Sequence, residues 1–200
     1  LVGQGIKLDR VSYWPDYYDE LPGGSEQGRT VVAELFNVKE LGEWGKKLRP
    51  NFLSMQASLD DMLKLRYVTK SGEARKAAAK LVGRTIWATL TGKRYVTAGA
   101  ALQGRMLQAA LKAGAEIRDS SPVTSLIEEH GRVVGVVTEK DGKPGRVGAN
   151  SGVLINAGGF SHNQAMRDQY QPGTQSDWSM TAEGDTGEMI EEMMRHGAAV

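Results

Sequence analysis

The chain has 200 residues, with 25 Lys and Arg against 24 Asp and Glu and no cysteine. That length allows one large domain, or one domain with part of a second. Near-neutral charge gives no global attraction to nucleic acid, the missing cysteines exclude disulfides and thiolate metal sites, and no apolar run approaches the ~18 residues of a membrane-spanning helix.

A cytoplasmic protein with no transmembrane segment and no nucleic-acid partner is therefore expected. Both ends, Leu1-Val-Gly-Gln-Gly5 and Arg195-His-Gly-Ala-Ala-Val200, run without a recognisable start or stop, so an internal fragment of a longer polypeptide is expected.

Residues 1–30 read as an aromatic loop segment: Tyr13-Trp14-Pro15-Asp16-Tyr17-Tyr18, then Leu21-Pro22-Gly23-Gly24. The prolines restrict the backbone and the glycine pair makes a turn. Residues 31–95 read as a helical segment. Ala78, Val82, Ile86 and Leu90 recur every four residues and predict one apolar stripe, and Ser71 is placed to cap the helix N-terminus. This stretch is basic, with 13 Lys and Arg against five acids between Asn37 and Arg94. A solvated helix surface accounts for that, and so does attraction of an anionic substrate, cofactor or partner.

Residues 96–160 change character. Leu102, Met106, Ala109 and Ala113 mark a helix face that Gly114 ends. A short strand is expected over Ala115-Glu-Ile-Arg118. Strands at Val123–Glu128, Arg132–Glu139 and near Arg146–Ala149 should then form a three-stranded antiparallel meander, turning at His130-Gly131 and Asp141-Gly142. The run Gly152-Val-Leu-Ile-Asn-Ala-Gly-Gly-Phe160 reads as a buried strand ending on two glycines. Gly158 and Gly159 allow a sharp turn and close approach of backbone to a ligand. Residues 161–200 carry a polar helix from His162 to Tyr170. Gly184-Asp-Thr-Gly187 then leads into a second helix with Met189, Ile190, Met193 and Met194 on its core face.

His130, His162 and His196 fit no metal-ligand spacing, and no metal site is expected. His130 falls in a hairpin turn, His162 follows the glycine pair, and His196 lies at a helix end, where it meets the helix dipole favourably.

Five segments together resemble the FAD-dependent family that includes fumarate reductase and succinate dehydrogenase flavoproteins and 3-ketosteroid dehydrogenases. They are Ala100-Ala-Leu-Gln-Gly-Arg-Met-Leu-Gln-Ala-Ala110, Gly114-Ala-Glu-Ile117, Pro122-Val-Thr-Ser-Leu126, Gly131-Arg-Val-Val-Gly-Val136 and the Gly152–Phe160 run. The opening Tyr13–Tyr18 motif, with Glu20-Leu-Pro-Gly-Gly24 and Gly28-Arg29, looks like the steroid-dehydrogenase branch.

The resemblance implies an α/β flavoprotein, α+β within this stretch. Part of a Rossmann-like FAD domain with the meander would lead, from residue 161, into a capping domain for the substrate. It implies FAD as cofactor, with Val123, Ala157, Gly158, Gly159, Thr186, Gly187 and Glu188 beside it. Members usually carry Asn-Thr-Gly-Asp-Gly-Ile; here Asp185-Thr-Gly-Glu-Met-Ile190 stands in its place, with Glu188 for Asp and Met189 for the second Gly.

The implied activity is hydride transfer between flavin and a carbon next to a carbonyl, on a small, steroid-like substrate. Reduction of an activated double bond, as in fumarate reductases, is the alternative within the family, and a non-catalytic α/β interaction module is the alternative outside it. The catalytic residues are not assigned. Tyr17 and Tyr18 are substrate-side candidates, because a phenol can move a proton at a carbonyl or carbon acid. The dinucleotide motif Gly-x-Gly-x-x-Gly is absent, since Gly3-x-Gly5 lacks the third glycine, so this stretch alone should bind FAD poorly.

Overall fold

The computed structural model describes residues 1–12, 14–49 and 57–199. Tyr13 of the aromatic motif and residues 50–56 of the helical segment lie outside them. The chain divides into two units, Leu1–Ile117 and Arg118–Val200.

In the first unit, β1 (Leu8–Arg10) pairs antiparallel with β2 (Val31–Ala33). Next, β3 (Phe36–Asn37) leads into a 3-10 segment, Val38–Lys46. Two helices follow, α1 (Leu59–Leu65) and α2 (Gly72–Thr91). β4 (Tyr95–Val96) returns to pair with β3, and α3 (Ala98–Lys112) closes the unit. The core gathers Ala33, Phe36, Leu41 and Ala101, with Leu8, Trp44 and Val96 packed around them.

Gly104 explains the close fit of α3 in that core. A Cβ there would press into the Phe36 ring. A glycine inside a helix costs about 1 kcal/mol relative to alanine; here the missing side chain lets a fully buried aromatic lie against the helix backbone. Arg105, the next residue, stacks its guanidinium 5.3 Å from the same ring and donates to the Leu35 carbonyl at 3.0 Å. The expected helix face is rotated accordingly. Ala101 and Gly104 are buried, whereas Met106 is exposed.

Ser71 caps α2 as expected, its hydroxyl accepting from the Ala74 amide at 3.4 Å. The predicted stripe on α2 does not form the buried face. Ala74, Ala77 and Ala88 are buried, and Val82, Ile86 and Leu90 are exposed. Steps of four residues advance 400° around a helix, so a four-residue repeat drifts about 40° per step away from any fixed face. The stripe therefore slides off the inner side after half-buried Ala78.

Residues 115–118, expected as a strand, run across the boundary between the two units in the sequence and join no sheet among the described residues. The meander forms as expected: β5 (Val123–Glu129), β6 (Arg132–Lys140) and β7 (Lys143–Gly148), in the order β5-β6-β7. His130 and Gly131 take φ of 54° and 74°, and Asp141 and Gly142 take 53° and 73°. Those values make two-residue turns whose twist matches the strands. β7 starts earlier than expected and includes Pro144, which an edge strand tolerates. Two helices follow, α4 (Gln164–Tyr170) and α5 (Glu188–Arg195).

The run 152–160 is extended but joins no sheet among the described residues, and Leu154 is 93 % exposed. Three consecutive apolar residues call for cover on both faces. Here Val153 and Ile155 are half-buried and the opposite side is open.

Candidate functional site

The site of the second unit is a groove of about 760 Å³, within the ~300–1,000 Å³ usual for cofactor pockets. Its apolar lining comes from Val123 and Leu126 on β5, Val136 on β6, Val153 and Ile155 on the extended run, and Met189 on α5. Asn156, Ala157, Gly184, Thr186, Glu188 and Arg195 add backbone and polar groups along it.

Two turns are stitched together beside this groove. Gly158 has φ 83°, and a Cβ there would collide with the Asp185 carboxylate. The His162 amide donates to the Asp185 carbonyl at 2.9 Å. Asn163 does two jobs: its Oδ1 accepts from the Met166 amide at 3.1 Å, capping α4, and its Nδ2 donates to the Thr186 carbonyl at 2.9 Å. Gly187, buried at φ 85°, sits where a Cβ would strike Met166 and Phe160. Both positive φ values lie in the region that favours glycine.

The two glycines expected to face a ligand thus divide the work. Gly158 is required by contact with Asp185, whereas a Cβ at Gly159 would meet nothing within 4 Å. The direction a side chain would take from Gly159 is therefore open, although Gly158 is the more exposed of the two.

Thr186 donates its hydroxyl to the Glu188 carboxylate, at 2.7 Å to Oε1 and 2.6 Å to Oε2. That hydroxyl holds the carboxyl below its usual range. Glu188, standing where relatives usually have Asp, is therefore folded back onto its own turn.

α5 is fastened to the meander by a buried acid. Glu192 Oε1 accepts from the Leu126 amide of the edge strand β5 at 2.7 Å, and Oε2 is paired with Arg195. The Leu126 hydrogen bond, reinforced by the charges of Arg195 and His196, holds this carboxyl low although burial pushes it up. His196 Nδ1 lies 2.6 Å from Glu128 Oε2, which raises the imidazole above its usual value. Val123, Ala157, Thr186 and Glu188 therefore come together along one groove, and Gly158, Gly159 and Gly187 shape the turns beside it.

Sequence reasoning missed Asp185, Asn163 and Glu192. Asn163 carried a readable signal, an Asn just before a helix. Glu192 carried none, because one acid among Met and Ile residues looks like a solvated helix position.

Other candidates lie outside the groove. His162 places Nε2 3.4 Å from the Thr181 carbonyl and does not line it. His130 is exposed at its turn. No group of three metal-ligating side chains occurs among the described residues. Tyr17 and Tyr18, 95 % and 68 % exposed, border a groove of about 470 Å³ within the first unit. Asp16 in that loop is paired with Arg29, whose hydrogen bond holds the carboxyl below its usual range. Gly3 lies within a single 3-10 turn, Val2–Gln4, and Gly5 follows it; this is not a strand-turn-helix, so no phosphate cradle forms there.

Comparison with known proteins identifies the family of this chain. The FAD binding domain family matches residues 1–200. The 3-oxosteroid 1-dehydrogenase of Mycobacterium tuberculosis (strain H37Rv) is 32 % identical over 206 residues, covering 98 % of this chain and 36 % of that protein. The 4-oxocyclohex-2-ene-1-carboxylate 5-dehydrogenase of Sinomonas cyclohexanicum is 32 % identical over 167 residues, covering 79 % of this chain and 28 % of that protein. Among solved structures, the 3-ketosteroid Δ1-dehydrogenase of Sterolibacterium denitrificans, in complex with 1,4-androstadiene-3,17-dione, superposes with a TM-score of 0.86 at 28 % identity. That superposition covers 99 % of this chain and 38 % of that one. The chain spans about a third of the length of the relatives it matches. It belongs to the FAD binding domain family.

Proposed function

We propose that this chain forms one wall of the FAD site in an oxidoreductase of the 3-ketosteroid dehydrogenase type. The observation that carries the reading is the groove itself, where Val123, Ala157 and the Thr186-Gly187-Glu188 turn converge from three separate segments. Val123 and Ala157 would hold the cofactor through backbone groups, which offer fixed donors and acceptors whatever the side chain. Gly159 would allow its close approach, and the flanking apolar side chains would exclude water from one side. Gly158 and Gly187 act on the site indirectly, by fixing the two turns.

Bound FAD supplies a two-electron acceptor for a carbon next to a carbonyl. A phosphate grip is not formed by the described residues of this chain, so the wall would serve binding together with other parts of the protein. Tyr17 and Tyr18 would serve the substrate side, their phenols exposed in the first unit. Residues 161–200 would lead into the capping domain.

Relatives named for oxo-steroid and oxo-cyclohexane dehydrogenation favour this branch over a fumarate-reductase-like one, and a family match over the whole chain favours it over an interaction module. The test is anaerobic mixing of the full-length flavoprotein with a 3-ketosteroid and, separately, with succinate. Bleaching of the flavin absorbance by the steroid alone supports the reading; bleaching by succinate alone, or no bound flavin, contradicts it.

A further inference from the structure

Thr186 and Glu188 line the groove, and the turn that carries them is held from behind by residues 160–166. Phe160 and Met166 pack where Gly187 leaves no room for a Cβ, and the His162 amide donates to the Asp185 carbonyl at 2.9 Å. The third support is Asn163, whose Nδ2 donates to the Thr186 carbonyl at 2.9 Å. Apolar packing has no direction, and a backbone amide is present whatever the side chain. Of these three supports, Asn163 alone makes the aim of the turn depend on the chemistry of one side chain.

The same side chain caps α4. Its Oδ1 accepts from the Met166 amide at 3.1 Å. An N–H on one side and a carbonyl on the other fix which way the Asn163 amide points. Asp and Ser cap helices about as well as Asn. An ionised Asp, however, has no proton to give the Thr186 carbonyl, and a Ser hydroxyl has a single proton on a shorter stem. Capping therefore does not require Asn here; the Thr186 carbonyl does. Nor does α4 depend on that bond for its own place. Gln164 donates to the Thr174 carbonyl at 3.0 Å and accepts from the Ser176 amide at 2.8 Å. Arg167 reaches the Thr174 hydroxyl at 3.0 Å and the Ser161 carbonyl at 3.2 Å.

We propose that Asn163 is a positioning residue of the cofactor wall. It is half-buried and stands outside the lining of the groove. It acts through Thr186: anchoring that carbonyl fixes the Thr186–Gly187 peptide, and with it the direction in which Thr186 and Glu188 are presented to the groove. A wall held in one pose before the cofactor arrives avoids the cost of ordering it on binding. This role rests on the reading of the groove as part of an FAD site.

The experiment compares three substitutions in the full-length protein, freed of flavin and titrated with FAD, with amide exchange measured on the flavin-free form. Asn163→Asp keeps the cap and removes the donor. Its melting temperature and its exchange at the Met166 amide should stay at wild-type values. Exchange at Ile190, whose amide donates to the Gly187 carbonyl at 2.9 Å, should quicken. FAD binding should weaken roughly tenfold to a hundredfold. Asn163→Ala removes both bonds, so Met166 exchange should quicken as well and the melting temperature fall. Gln164→Ala loosens the same helix elsewhere and should leave FAD affinity within about twofold. Equal FAD affinity in wild type and Asn163→Asp, or a loss as large in Gln164→Ala, would overturn the proposal while leaving the FAD site in place. So would an Asn163→Asp protein that no longer folds, or one whose Met166 exchange quickens as much as that of Ile190. A wild-type protein that binds no FAD would overturn both the proposal and the reading beneath it.

Discussion

Leu154 in the extended run and Leu90 on α2 are both exposed leucines in apolar patterns that would place them inside. Their surroundings differ. The run ends in a turn locked by named contacts: Gly158 against Asp185, the His162 amide on the Asp185 carbonyl, and Asn163 on the Thr186 carbonyl. The exposed ridge of α2 at Val82, Ile86 and Leu90 has no such stitching; its neighbours are cations. Precise polar positioning beside a concave apolar groove suits a small molecule that must be held in one pose. A convex ridge among cations carries no polar groups placed to hold a small molecule in one pose. The same apolar signal therefore has two outcomes, and the polar neighbours separate them.

The stitched turn is the easier of the two to break. Gly187→Ala combines a positive φ with collision against Met166 and Phe160, and should cost about 3 kcal/mol. A lowered thermal midpoint and loss of bound flavin absorbance in the full-length protein would show it. An unchanged midpoint would mean that this turn is not held as described.

Glu192→Ala should cost about 1–3 kcal/mol, because it leaves the Leu126 amide without its acceptor. Faster hydrogen exchange at Leu126 is the readout. Glu192→Gln retains an acceptor oxygen and should lose less.

The contact of α5 with β5 should also depend on pH in two directions. The Glu192 carboxyl is held low in the folded protein, so its contribution is present above the usual carboxylate range of about pH 4.3 and is lost as pH falls through the depressed value. The His196 imidazole is held high by Glu128, so its contribution is full below about pH 6.5 and is lost as pH rises through the raised value. Leu126 exchange against pH should show both limbs, and His196→Asn should remove the alkaline limb alone.

The smallest effect is expected on α2. Val82→Lys should change the urea midpoint by an amount within about 0.5 kcal/mol, as at other exposed sites. A loss of several times that would show the ridge to be covered within the protein, and would erase the contrast with the groove.

The meander was legible in the sequence because two short turns with glycine at their second position separate alternating strands, a purely local signal. The helix cap at Ser71 is local in the same way, and Asn163 carried the same kind of signal without being read. The burial of α2 was not legible, since alanines on its inner face carry less hydropathy than the Val, Ile and Leu outside. Nor was the division of labour between Gly158 and Gly159, which depends on Asp185, about thirty residues further along the chain. Convergence of Val123, Ala157 and the Thr186–Glu188 turn on one groove came from the resemblance, because nothing in the spacing of these three segments places them together.

Hydrogen exchange of the full-length protein with and without added FAD tests the central claim most directly. Slower exchange on FAD binding at the amides of Val123 and of residues 157–159, with Leu126 protected in both states by Glu192, is the expected result. FAD binding with no change at residues 123 and 157–159 would contradict the assignment of this groove.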